Sequence, residues 1–162
     1  MIPYRPDQVR QAITARIRTL TASSLYAGEN DAWRESLDPL VQEWDPNTRA
    51  HLNFVVDDRD IDINELTRGT VSRGDAPYID SQIVVRYLFN LPPKNRVNAW
   101  DASIISATHL TSWLIEESWQ DEIHVFLDRR PITRIPLDVQ DWIAVECRYR
   151  VNYFWALGAL AT

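Results

Sequence analysis

Two stretches of this chain alternate apolar and polar residues with a period of two, and together they set the expected architecture. From Ile79 to Leu91 the odd positions are Ile79, Ser81, Ile83, Val85, Tyr87, Phe89 and Leu91, while the even ones include Asp80, Gln82, Arg86 and Asn90. Successive side chains of a β-strand point to opposite faces, so the pattern predicts a strand with one buried and one wet face. Pro92 and Pro93 end it, because proline has no N–H for a sheet ladder. In the second stretch Ile143, Val145, Cys147, Tyr149, Val151, Tyr153 and Trp155 alternate with Ala144, Glu146, Arg148, Arg150 and Asn152. That strand is about double the usual five or six residues. It calls for a neighbour of matching length, and Ile79 to Leu91 supplies one.

Helical spacing occurs twice. Val9, Ile13, Ile17 and Leu20 share one face of a helix running from Pro6 to about Leu20, with Arg10, Arg16 and Arg18 off that face. Pro6 suits the first turn, where its missing N–H has no intrahelical partner, and Asp7 meets the positive end of the helix dipole. A second helix, with Asn98 as its predicted N-cap and Asp101 in its first turn, carries Trp100, Ile104, Ala107, Leu110 and Leu114 along one stripe, widened by Trp113 and Ile115. Shorter strands are expected at His51 to Val56 and Gln120 to Leu127. Arg129 to Pro136, with two prolines, is expected to be a connection.

Residues 21–50 sustain no period. Within them Asp31 to Trp44 fits either a short helix broken near Pro39 or an irregular segment with Trp33, Leu37 and Leu40 turned inward. Residues 57–78 are polar, carry Gly69 and Gly74, and read as a long loop or arm with a short strand at Ile61 to Leu66. The expected fold is a single α+β domain over residues 1–162. A mainly antiparallel sheet with two long strands is covered by an N-terminal helix and a central helix.

At 162 residues with 45% apolar side chains, such a domain can bury a core without metals or disulfides. The single Cys147 makes no internal disulfide and fits a reducing compartment. The first ten residues lack the apolar core of a signal peptide, and no apolar run reaches the roughly 20 residues of a membrane span. A soluble, intracellular protein is expected. The net charge of −6 argues against a grip on nucleic acid through phosphate neutralisation. The basic residues are sixteen Arg and only Lys94, and there are seven Trp. Arg and Trp concentrate at the centres of binding interfaces, although a genome rich in Arg codons gives the same Arg bias.

No motif for catalysis emerges. Asp58, Asp60, Asp62 and Asn64 have the alternating spacing of a calcium loop, but Ile63 stands where the sharp turn needs Gly and Gly69 where a bidentate Glu is required. A solvated acidic face explains them as well. Cys147 alternates inward with Val145 and Tyr149, as a small buried hydrophobe does. His51, His109 and His124 share no ligand spacing. Glu116 and Glu117 diverge by about 100° on a helix and do not converge on one point. Residues 68–74 hold two Gly and two Arg but lack the Gly-Lys-Ser/Thr ending of a phosphate loop. No cofactor or metal is expected. The mixed-charge strip of Arg86, Glu146, Arg148 and Arg150 fits both a solvated face and an interface. Trp33, Trp44 and Trp119 fall in irregular segments, where docking to another subunit is one reading.

The order of segments resembles the tail terminator proteins of long-tailed bacteriophages. The resemblance lies chiefly between Leu52 and Trp155: a strand, a polar excursion, then Ser81-Gln-Ile-Val-Val-Arg-Tyr-Leu-Phe-Asn-Leu-Pro-Pro93 leading into an Asn-Ala-Trp-Asp helix, and a closing strand ending Tyr-Arg-Val-Asn-Tyr-Phe-Trp155. The chain departs from shorter members of that family in its extra segment from Leu25 to Asn47 and in its long final strand. The resemblance implies a non-enzymatic, homo-oligomeric ring, typically a hexamer. It would sit on the tail tube protein, stop growth of the tube, and present a surface to the connector of the head and neck. It also implies a place in the virion after assembly in the host cytoplasm. An acidic lumen would let DNA slide through unbound. Under that implication residues 57–78 reach a neighbour through Arg68 and Arg73, and Arg86, Arg148, Arg150, Trp33, Trp44 and Trp119 contribute to subunit or partner contacts. Alternatives are a head-completion or connector protein of the same neck, or a small metal-dependent enzyme or calcium module using Asp58, Asp60 and Asp62.

Overall fold

A computed structural model describes residues 4–20, 32–35, 51–63, 78–116, 119, 123–137 and 141–154. Helix α1 spans Pro6–Arg18, strand β1 Arg34–Glu35, β2 Asn53–Ile63 and β3 Tyr78–Asn90. A short 3-10 turn at Pro93–Asn95 leads into α2, Arg96–Ile115, followed by β4, His124–Pro136, and β5, Trp142–Phe154. The strands form one sheet in the order β1-β2-β3-β5-β4, antiparallel except for the β1/β2 pair. The expected α+β fold, with helices on a mainly antiparallel sheet, is what forms.

The two long strands pair along their whole length, from Tyr78 opposite Phe154 to Asn90 opposite Trp142. Their inward residues, among them Ile83, Val85, Tyr87, Val145, Cys147, Tyr149 and Val151, join Val9, Ile13 and Ile17 of α1 and Ala107, Leu110 and Leu114 of α2 in one core. The entry to α1 is fixed by Gln8, whose Oε1 accepts the Arg5 backbone N–H at 2.9 Å. Small residues let α2 lie close to the sheet: Ala99, Ala102, Ser103 and Ser106 are buried there. Tyr87 Oη donates to the Ser103 carbonyl at 3.1 Å and lies 2.9 Å from Ser106 Oγ, and Tyr149 Oη lies 3.0 Å from Thr111 Oγ1. Each buried phenol is therefore satisfied on the helix.

Several local expectations are corrected. Helix α2 starts at Arg96 behind Asn95, so Asn98 lies inside it rather than capping it. As expected, β3 ends before Pro92 and Pro93; a 3-10 turn at Pro93–Asn95 then runs straight into the helix. Arg129 to Pro136 is not a connection: β4 continues through it, and the register passes from Leu127 opposite Tyr149 to Ile132 opposite Cys147. Residues 128–131 are thus extruded as a bulge, which accommodates Pro131 without a missing ladder bond. Strand β2 runs on to Ile63, pairing Asp60 with Gln82 and Asp62 with Asp80, so the first part of the 57–78 excursion belongs to the sheet. The far side of the sheet is not wet at its centre, where Val55, Val84, Leu88, Ala144 and Glu146 are all buried.

Among the described residues, two other than glycine take left-handed backbone conformations, Leu52 (φ 60°) and Asp141 (φ 74°). Both hold tight junctions. The Leu52 N–H donates to the Leu88 carbonyl at 2.9 Å, and the Asp141 carbonyl accepts the Leu91 N–H at 2.7 Å. A non-glycine residue in this region costs on the order of 1–2 kcal/mol, and the bonds it makes offset part of that.

Candidate assembly surfaces

On the far face of the sheet β3 and β5 place Arg86 directly opposite Glu146, with Arg148 two residues further along β5. Glu146 is only 2% exposed. Its Oε2 accepts Arg86 Nε at 3.2 Å and Nη2 at 2.7 Å, and its Oε1 accepts Arg148 Nε at 2.8 Å and Nη2 at 2.7 Å. Burial pushes this carboxyl upward, but the bonds and charges of Arg86 and Arg148 outweigh burial and hold it below its ordinary value of 4.5. Along the same face Arg150 pairs with Asp80, which raises the guanidinium pKa further, and Gln82 Nε2 donates to Asp128 Oδ2 at 2.7 Å. That last bond pins the base of the β4 bulge.

Of the residues singled out from sequence, Arg86 and Arg148 therefore meet around one carboxylate, and Arg150 stands a rung away with its own partner. All three are engaged within the chain. Trp33 is a correction: it is 4% exposed, a core residue stacked edge-on against Tyr87 at 4.8 Å and Phe54 at 6.3 Å, and it offers no surface to a subunit. The reason is β1, whose parallel pairing with β2 draws Trp33 over the sheet. Trp119 is half-buried and donates its Nε1 to the Leu114 carbonyl at 3.0 Å. It thus closes the C-terminal end of α2, where carbonyls lack helical partners. Arg68, Arg73 and Trp44 lie outside the described residues. Asp58, Asp60 and Asp62 sit on an extended strand, so the backbone over them does not make the turn of a calcium loop.

Sequence reasoning missed a second cluster, where α1 and α2 meet. The Arg16 guanidinium lies 3.7 Å from the Trp113 ring centre and 5.6 Å from that of Trp119, and it pairs with Glu116. Arg16 Nε donates to the Trp113 carbonyl at 3.2 Å, and Trp113 Nε1 donates to the Arg16 carbonyl at 2.9 Å. A shallow groove of about 520 Å³ beside it is lined by Leu20, His109, Ser112, Trp113, Ile115 and Glu116. Arg16 was legible only as a residue off the apolar stripe, whereas its partner Trp113 was the visible signal.

The third surface is the outer margin of β4, which no described strand covers. Phe126 is 50% and Leu127 47% exposed, and Ile135 is also open to solvent. Arg129 and Arg130, on the bulge between them, are exposed and make no ion pair with a described residue. Arg134 instead turns to α2, 4.1 Å from the Trp100 ring centre. Large exposed apolar side chains on an edge strand mark an interaction surface.

Cys147 is buried in the core, and burial pushes its thiol up to about 12. His51 Nδ1 accepts the Asn90 N–H at 3.2 Å, and its ring packs edge-on against Phe89 at 4.5 Å. Among the described residues no three His, Cys, Asp or Glu side chains are placed to share a metal ion, and no helix is long and apolar enough to cross a membrane. Compared with known proteins, the chain matches no established family and no curated relative.

Proposed function

We propose that this chain is a structural ring subunit of a long-tailed bacteriophage, one that caps the tail tube and joins it to the connector of the head. The observation that carries the reading is the outer strand β4, which exposes Phe126, Leu127 and Ile135 at the margin of a sheet stiffened by two fully paired long strands. A scaffold of this kind works by adhering to other protein, and the segment order from Leu52 to Trp155 is the one that resembles tail terminators. The net charge of −6 supports a lumen that repels DNA rather than binding it. On this reading the partners are further copies of the chain, in a hexameric ring, together with the tail tube protein and the head connector, and the protein works in the virion without a cofactor.

The test is light scattering and negative-stain microscopy of the purified protein, alone and with isolated tail tubes. Closed rings bound at tube ends are the expected result. Rings that bind the head connector but ignore tubes would move the protein to another place in the neck. A monomer at every concentration, with no tube binding, would sink the proposal. A large rise in melting temperature with calcium or magnesium would favour a metal module instead, because a ligand that binds only the folded state stabilises it.

A further inference from the structure

We infer that two copies of this chain pair through the outer face of helix α2, antiparallel about a two-fold axis at Ile105. Along the solvent side of that helix a row with a spacing of four runs Val97, Asp101, Ile105, His109 and Trp113. Val97 is 75% and Ile105 36% exposed, Asp101 and His109 are exposed, and Trp113 is half-buried. Outward helix faces ordinarily carry many charges. From Val97 to Ile115, however, the chain has no Lys or Arg, and its ionisable side chains there are Asp101 and His109. Neither makes an ion pair with a described residue.

The order of charges identifies the occupant as a second copy. The row reads apolar, acid, apolar, base, apolar, so it is complementary to itself when reversed. Residues equally far before and after Ile105 come level in an antiparallel pair. Each Asp101 carboxylate then lies beside the partner's His109, whose ring N–H it accepts, and each Val97 lies beside the partner's Trp113. Rows with a spacing of four are the ridges along which packed helices cross at about −50°, the commonest class. In this arrangement Val97 meets the partner's shallow groove, which His109, Ser112, Trp113 and Ile115 line. A parallel pair would set Asp101 against Asp101 and His109 against His109, which disfavours it. One helix face is smaller than the roughly 800 Å² per partner of a standard interface, so half-association is expected above about 1 μM. The contact is isologous, whereas a cap with two unlike faces is built from heterologous contacts, so the pairing adds to the ring proposed above and does not depend on it.

The experiment is disulfide trapping in the full chain, read on non-reducing gels, with analytical ultracentrifugation beside it. Cys147 is buried, so an introduced surface thiol is the reactive one. Ile105→Cys places its sulfur on the axis, and a linked dimer is expected promptly under mild oxidation. Asp101→Cys and Ser112→Cys lie about 12 and 20 Å from their own counterparts along the helix axis and are expected to link at least about tenfold more slowly. In the centrifuge, Asp101→Lys and His109→Glu are each expected to raise the concentration for half-association about tenfold. Mixed in equal amounts the two variants are expected to restore pairing, because opposite signs then meet at both contacts. Circular dichroism checks that every variant is folded. Equal linking at all three positions, or none at Ile105→Cys, overturns the inference. Fast linking at Asp101→Cys reports a parallel pair and also overturns it, as do charge variants that pair like the wild type or fail to pair on mixing. A ring held by head-to-tail contacts survives all of these failures, since it sets residue 105 against a different residue. Linked pairs that never form rings at tube ends would instead keep the pairing and defeat the ring.

Discussion

Replacing Glu146 by Gln keeps the shape of the side chain and removes its charge. Both carboxylate oxygens are fully used, Oε2 by Arg86 and Oε1 by Arg148, with two N–H donors on each. An amide must turn its NH2 toward one of the arginines, so two charge-assisted bonds are lost and donor faces donor. Bonds of this type contribute about 1.5–3 kcal/mol each. The arginine side chains remain 23% and 37% exposed and can recover part of this from water. We expect a net loss of about 3 kcal/mol, the low end for breaking a buried pair. For a chain of this size that lowers Tm by roughly 6–12 °C.

The pH dependence carries a definite sign. The folded carboxyl lies below its ordinary value of 4.5, so the unfolded chain takes up the proton first as pH falls. The stabilisation is complete above the ordinary carboxylate range and is lost as pH drops through the depressed folded value. Urea melts of wild type and E146Q should therefore differ fully near neutrality and converge in acid. A triple change of Arg86→Met, Glu146→Leu and Arg148→Met should be more stable than E146Q, because no uncompensated charge remains. A Tm drop under about 2 °C at neutral pH, or a gap that stays constant into acid, would refute the reasoning.

Two more outcomes follow from buried groups. Tyr149→Phe strands the Thr111 hydroxyl, now 3.0 Å from the phenol, and should cost about 1–3 kcal/mol in urea denaturation with little change in fold. Cys147, buried and with its thiol pushed up to about 12, should react with a thiol reagent only as fast as the protein unfolds, and prompt labelling of the native protein would contradict its placement.

Period-two patterning made β3 and β5 readable almost to the residue, because a strand buried on one face must alternate. The pairing partner followed from length alone. Strand β4 was half-missed: Pro131 and Pro136 signal a break, and only the bulge lets the strand absorb the first of them. The far face was misread because alternation marks Val84, Leu88 and Ala144 as outward without telling whether outward means exposed. Among the candidate site residues, Arg86 and Arg148 were found by their register, but their common partner Glu146 looked like one more surface charge. For Trp33 the sequence fits both an inward-turned segment and a docking site and does not decide between them, since a two-residue parallel strand leaves no sequence period to detect. Phe126 and Leu127 were visible as strand residues, yet edge position depends on strand order, which hydrophobic spacing does not encode.

The strand order has a consequence for biogenesis. β5, synthesised after every other described strand, lies between β3 and β4 and is the only member of the sheet that bonds to both. Until it arrives, the β2/β3 ribbon has a naked inner edge, and joining residues as distant as Tyr78 and Phe154 demands a large loop closure. Folding is therefore gated by a keystone placed last. A ribosome-bound chain halted before it should be sticky and protease-sensitive.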